Sequence, residues 1–168
     1  MSNYILDIVI FNRIVEDRLE LCDFVNESDK IFATHMQQDE INNILKDNDK
    51  RTIEEQKENI KKHEDLSKLF VMIDPDMLPT AVSVWDDSSW GSGWGNDKEH
   101  EVYDKILAKL APKRDQLNPS KDARLAATAI SKNYILVTDD GPLHRAICEI
   151  GYGKNSYFIR GKLTNVRN

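Results

Sequence analysis

Cysteine is nearly absent from this chain. Only Cys22 and Cys148 occur in 168 residues, far apart and outside any metal-type spacing, which sets aside a disulfide framework and a thiolate zinc site. Both are expected to be reduced thiols in the core. Long apolar runs are missing as well. The longest, Ile5 to Phe11, is broken by Asp7 and falls far short of the roughly 20 residues a helix needs to cross a bilayer. No basic front end of a cleavable signal precedes it, so a cytoplasmic protein with no membrane partner is expected. Positive charge is in short supply, with 23 Lys and Arg against 29 Asp and Glu and a formal net charge of −6. That balance argues against coating nucleic acid through a broad basic surface. It is compatible with a nucleic-acid enzyme, which needs only a local basic rim around an acidic metal site. Paired histidines are also lacking: His35, His63, His100 and His144 have no ligand spacing and are set aside as metal ligands.

What is present is a globular mixture, 40% apolar and 31% charged, long enough for one domain with a proper core and too short for two comfortable ones. A single domain over 1–160 with a polar C-terminal tail over 161–168 is expected. The β-branched run Tyr4 to Ile10 predicts a central strand buried on both faces, and apolar spacing from Asn12 to Asn26 predicts a helix. Ile31–Thr34 reads as a short strand, Gln37–Leu45 as a helix, and Thr52–Leu69 as a long, charged, mostly exposed helix. Asp74 to Asp97, with Trp85, Trp90 and Trp94 among glycines and serines, reads as an irregular connection. The tryptophans there are expected to pack the loop onto the body, with base stacking as the alternative. A helix over Asp97–Leu110, a break over Pro112–Pro119 and a helix capped by Ser120 and running to Ser131 follow. The strand Tyr134–Thr138, a helix from Gly141-Pro142 to Ile150 and a last strand Tyr157–Ile159 complete the pattern. Strands alternating with helices point to an α/β fold with a parallel sheet covered on both faces.

Four carboxylates stand where apolar or capping residues are the rule. Asp7 interrupts an apolar strand, and an ionised carboxylate buried there costs several kcal/mol unless paired or metal-bound. Glu40 shares a helix face with Met36 and Ile44. Asp122 leads an apolar stripe of Leu125, Ala126, Ala129 and Ile130, although in a first turn it also complements the helix dipole. Asp140 follows the strand ending at Thr138, where it either joins a site or caps the next helix, and Asp139 is an alternative ligand. In an open parallel sheet such groups gather beyond the carboxyl ends of the strands. An all-oxygen set suits Mg2+ or Mn2+ rather than zinc. Arg13, Lys121, Arg124 and Arg145 are candidates for the basic rim.

Three segments carry a family resemblance: Tyr4-Ile5-Leu6-Asp7, Asp122-Ala123-Arg124-Leu125-Ala126-Ala127-Thr128-Ala129, and Ile135-Leu136-Val137-Thr138-Asp139-Asp140. The chain resembles the PIN-domain nucleases, which include the VapC-type toxins, and Glu40 stands where that family has its second acidic residue. The resemblance implies a three-layer α/β/α domain with a central, mainly parallel sheet. It also implies a metal-dependent ribonuclease with Asp7, Glu40, Asp122 and Asp140 around one or two ions, and RNA as substrate. An antitoxin partner and a homodimer are further implications. Asp7 and Asp140 would be the main ligands, with Thr138 orienting the cluster. One departure stands out: Ile8 and Val9 follow Asp7 where the family usually has a small hydroxyl or amide residue and then Asn or Ser. Two rival readings follow. One is a non-catalytic PIN-like binding module, which the departure favours. The other is a phospho-acceptor α/β domain, for which only Thr138 is suitably placed.

Overall fold

The computed structural model of the chain describes residues 1–16, 18–46, 51–73, 78, 80, 97–111 and 119–159. Along the chain run β1 (Asn3–Leu6), α1 (Ile8–Val15), a 3-10 turn at Leu21–Asp23, β2 (Lys30–Phe32), α2 (His35–Asn43) and α3 (Ile53–Val71). Then come α4 (Asp97–Leu110), α5 (Pro119–Ser131), β3 (Ile135–Thr138), α6 (Gly141–Glu149), a second 3-10 turn at Gly153–Asn155 and β4 (Ser156–Phe158). The expected Trp-rich connection lies almost wholly outside the described residues, as do 112–118 of the predicted break and the 161–168 tail.

Among the described residues the strands form one sheet in the order β2-β1-β3-β4, and every pairing is parallel. Side chains alternate across it. Ile5 and Leu136 face a core built with Val102, Ile106 and Leu110 of α4, Leu125 and Ala126 of α5, and Leu143 and Ile147 of α6. Leu6 and Val137, one residue further along each strand, face the other core with Ile10, Phe11, Ile41, Leu66 and Phe70 from α1, α2 and α3. The period of two along a strand thus divides the helices into two layers and gives the α/β/α arrangement. Ala123, Ala126, Ala127 and Ala129 are all buried, and these small side chains give α5 a face that α4 and the sheet can approach closely.

Three expectations are corrected here. The strand expected over Tyr4–Ile10 ends at Leu6, and the next three residues after Asp7 are helical. Ile10 and Phe11 are fully buried while Val9 is 39% exposed, a one-sided burial that a short apolar run cannot reveal before its partners are known. The helix therefore starts before Asn12 and stops at Val15, well short of Asn26. Second, α2 starts at His35, because Thr34 and Gln37 form a reciprocal capping box. Third, both cysteines are free, as expected, yet exposed rather than in the core. No described helix is long and apolar enough to cross a membrane.

Candidate active site at the carboxyl ends of β1 and β3

The chain leaves β1 in one lateral direction to make β2 and returns on the opposite side of β1 as β3, so the crevice between β1 and β3 is the sheet's switch point. Leu6 pairs with Val137, and the Asp7 amide extends the ladder by donating to the Val137 carbonyl at 2.9 Å. Asp7 thereby sits level with Thr138. It has extended backbone (φ −64°, ψ 150°) and serves as N-cap of α1, so strand, site residue and helix follow one another without a spare residue.

Asp7 is 4% exposed. Neither structural alternative for a buried Asp applies: the side chain does not escape to solvent, and no described cation pairs with it. Its main partner is the Thr138 hydroxyl, which donates to Oδ2 at 2.7 Å. Burial pushes the Asp7 carboxyl up to about 6. The Thr138 hydrogen bond pulls it back, and the negative charges of Asp122 and Glu40 push it up further. Those two carboxylates therefore lie within electrostatic reach of Asp7.

Asp140 joins from the other strand. Its backbone N–H donates to Thr138 Oγ1 at 3.0 Å, which leaves the Thr138 hydroxyl hydrogen for Asp7 and fixes the direction of the relay. The Asp140 side chain caps α6, its Oδ1 accepting from the Leu143 amide at 2.8 Å, so the capping role read from Gly141-Pro142 is real. Glu40 lies 3.5 Å from the Lys121 ammonium, and Lys121 neighbours Asp122 in the first turn of α5.

The remaining expected residues divide. Arg13 forms an ion pair with Asp139, so Asp139 already has a cation, and Arg13 is not a freely presented rim residue. Arg124 is 1% exposed, with Nη1 3.1 Å from the Met36 sulfur; the rim role expected for it is corrected, because it sits on the buried face of α5 among the alanines. Arg145 is exposed.

Sequence reasoning missed Thr34 and Gln37. Both are buried. The Gln37 carboxamide accepts from the Thr34 amide at 2.9 Å and donates to the Leu6 carbonyl immediately before Asp7. This clasp ties the start of α2, and hence Glu40 one turn later, to the end of β1. The Thr34-His35-Met36-Gln37 spacing was the available signal.

The donor set is oxygen throughout, as Mg2+ or Mn2+ requires, and Asp7 is a buried carboxylate with no cation beside it among the described residues. The carboxylates are not drawn tightly together: among the described residues no three Asp, Glu, His or Cys side chains stand close enough to hold an ion.

No family model matches the chain, and no curated protein does. A solved structure, VapBC-1 from nontypeable Haemophilus influenzae, is similar over 88% of this chain and 94% of that one, at 14% identity and a TM-score of 0.47.

Proposed function

We propose that the protein is a metal-dependent endoribonuclease of the PIN type, in which Asp7, Glu40, Asp122 and Asp140 hold Mg2+ or Mn2+, and that its biological partner is an antitoxin. The observation that supports this most is Asp7 itself: a carboxylate 4% exposed at the switch point of a parallel sheet, under pressure from two further carboxylates. Folding carries such a cost where a bound cation relieves it. A bound ion supplies an activated water and stabilises charge on the phosphate.

The chain's own residues have three tasks. Thr138 holds Asp7 in one orientation through the relay from the Asp140 amide. The N-termini of α1 and α6 begin beside Asp7 and Asp140, and their positive ends ease the approach of a phosphate to an acidic site. Of the four basic residues considered for the rim, Lys121 and Arg145 are left to meet the RNA backbone, and Arg13 instead keeps Asp139 out of the ligand set. A catalytically silent PIN-like binding module is the second reading, favoured by the ion pairs on Glu40 and Asp139 and by Ile8 and Val9 after Asp7.

Purified protein incubated with RNA decides between them. The nuclease reading expects cleavage that needs Mg2+ or Mn2+ and stops on chelation. RNA left intact with either ion supports the silent module, and cleavage that persists in chelator points to metal-free chemistry.

A further inference from the structure

Beside the carboxylates lies a cavity of about 380 Å3 lined by Met36, Asp39, Asn42, Asn43, Lys46 and Lys121. We propose that it is a subsite for one guanine nucleotide of the RNA strand, with Asp39, Asn42 and Asn43 meeting the base and Lys46 and Lys121 the phosphate. The proposal rests on the nuclease reading for its place in the reaction, and on the cavity alone for its ligand.

The volume falls in the range of small-ligand sites, roughly 300–1,000 Å3. In a chain of net charge −6, the lining carries two ammonium groups and one carboxylate; Lys121 also lies 3.5 Å from Glu40, so Lys46 is the ammonium placed to favour an anion. The lining's other polar groups are of a different kind. Two adjacent carboxamides offer N–H donors, the Asn42 oxygen already accepting from Gln38 at 3.4 Å, and Asp39 offers acceptors alone. A bare phosphate has no use for that set, whereas a base edge does. Guanine is the one standard base whose Watson–Crick edge carries two neighbouring N–H donors, which a carboxylate can accept as a pair, while its O6 accepts from an amide or ammonium. Met36 gives a soft apolar wall for the ring.

Position supports the same reading. Met36, Asp39 and Asn43 recur at helical spacing along one side of α2. Lys121 both lines the cavity and lies 3.5 Å from Glu40, so a nucleotide there abuts the proposed ion site. The clasp of Gln37 on the Leu6 carbonyl sets the distance between this side of α2 and Asp7.

The test is titration of the full chain, without divalent ion, with GMP, AMP, CMP, UMP and inorganic phosphate, followed by backbone amide shifts. GMP should bind on the order of tenfold more tightly than the other nucleotides, with shifts at Asn42, Asn43 and Lys46. Asp39→Asn should erase that preference, and Lys46→Ala should weaken all four nucleotides alike. Both residues are exposed, and unchanged melting curves would verify that the variants fold. Equal binding of phosphate and every nucleotide, shifts elsewhere, or an unaltered preference in Asp39→Asn would each overturn the subsite. Guanine-selective binding without RNA cleavage would retain the subsite and remove the nuclease. Cleavage whose rate and base preference ignore both substitutions would do the reverse.

Discussion

Asp7 and Asp139 each follow the last residue of a strand, on neighbouring strands of one parallel sheet, yet they have opposite surroundings. Asp139 has the Arg13 guanidinium, delivered by the helix that Asp7 caps. Asp7 has a hydroxyl and two repelling carboxylates. The pair teaches what separates a carboxylate that holds the fold together from one the fold has to tolerate. Both side chains are largely shielded from solvent; among the described residues a cation is present at only one.

The sharpest way to probe the contrast is Asp7→Asn, which keeps the shape and the acceptor for Thr138 and removes the charge. RNA cleavage should fall by ~100-fold or more, as expected for a lost ligand. Stability should move the other way. Asp7 has its folded pKa raised from 3.8 to about 6, so the folded state holds its proton more firmly. Its contribution is most favourable below pH 4 and is lost as pH rises through 6, amounting to about 3 kcal/mol by pH 7. The Asn variant should lack this part of the pH dependence and be as stable as the parent, or more so, at neutral pH without metal. Added Mg2+ or Mn2+ should stabilise the parent by roughly 2.7 kcal/mol at a hundredfold excess over its dissociation constant, and the variant much less. Melting midpoints between pH 4 and 7, with and without metal, check all of this. A large metal-free loss in the variant would make Asp7 a structural residue.

A second probe removes the hydroxyl on which Asp7 depends. Thr138→Val deletes a hydrogen bond to a carboxylate and strands the Asp140 amide, and should cost about 2 kcal/mol. Thr138→Ser keeps the hydroxyl and should lose well under half of that in denaturant titrations. Equal losses would mean that the methyl group, not the relay, matters there.

The smallest expected effect comes from making Asp139 resemble Asp7. Arg13→Gln removes its cation and should cost about 1–2 kcal/mol, less than a fully buried pair because Arg13 keeps 25% exposure. Adding Asp139→Asn should restore most of that loss in a double-mutant cycle. Additive losses would show that the two residues act separately.

The sequence made the α/β alternation and the later elements legible because their signals were local: the alanine stripe behind Asp122, the strand before Asp139, and Gly141-Pro142 opening a helix under an Asp cap. The end of β1 was not legible, since Ile8-Val9-Ile10 suits a buried strand as well as a helix and only α3 and β3 decide between them. Partnerships over long separations were equally hidden. Nothing near Arg13 announces Asp139, 126 residues away, and nothing near Arg124 says that a guanidinium will lie beneath α2 against Met36. Apolar context singled out Asp7 and Asp122 as candidates; the Thr34–Gln37 clasp required a capping signal hidden at a strand end.

The hydrogen bond between Thr138 and Asp7 spans 131 residues, and it has a consequence for biosynthesis. At the usual elongation rate of about 5–20 residues per second, Asp7 is synthesised roughly 7–26 seconds before its partner. During that interval β1 can meet β2, but the crevice has only one wall. A nascent chain halted before Ile135 therefore carries Asp7, Glu40 and Asp122 and has no assembled site. For a protein that would cut RNA, translation itself becomes the first safeguard, because the site is completed only when β3 pairs with β1.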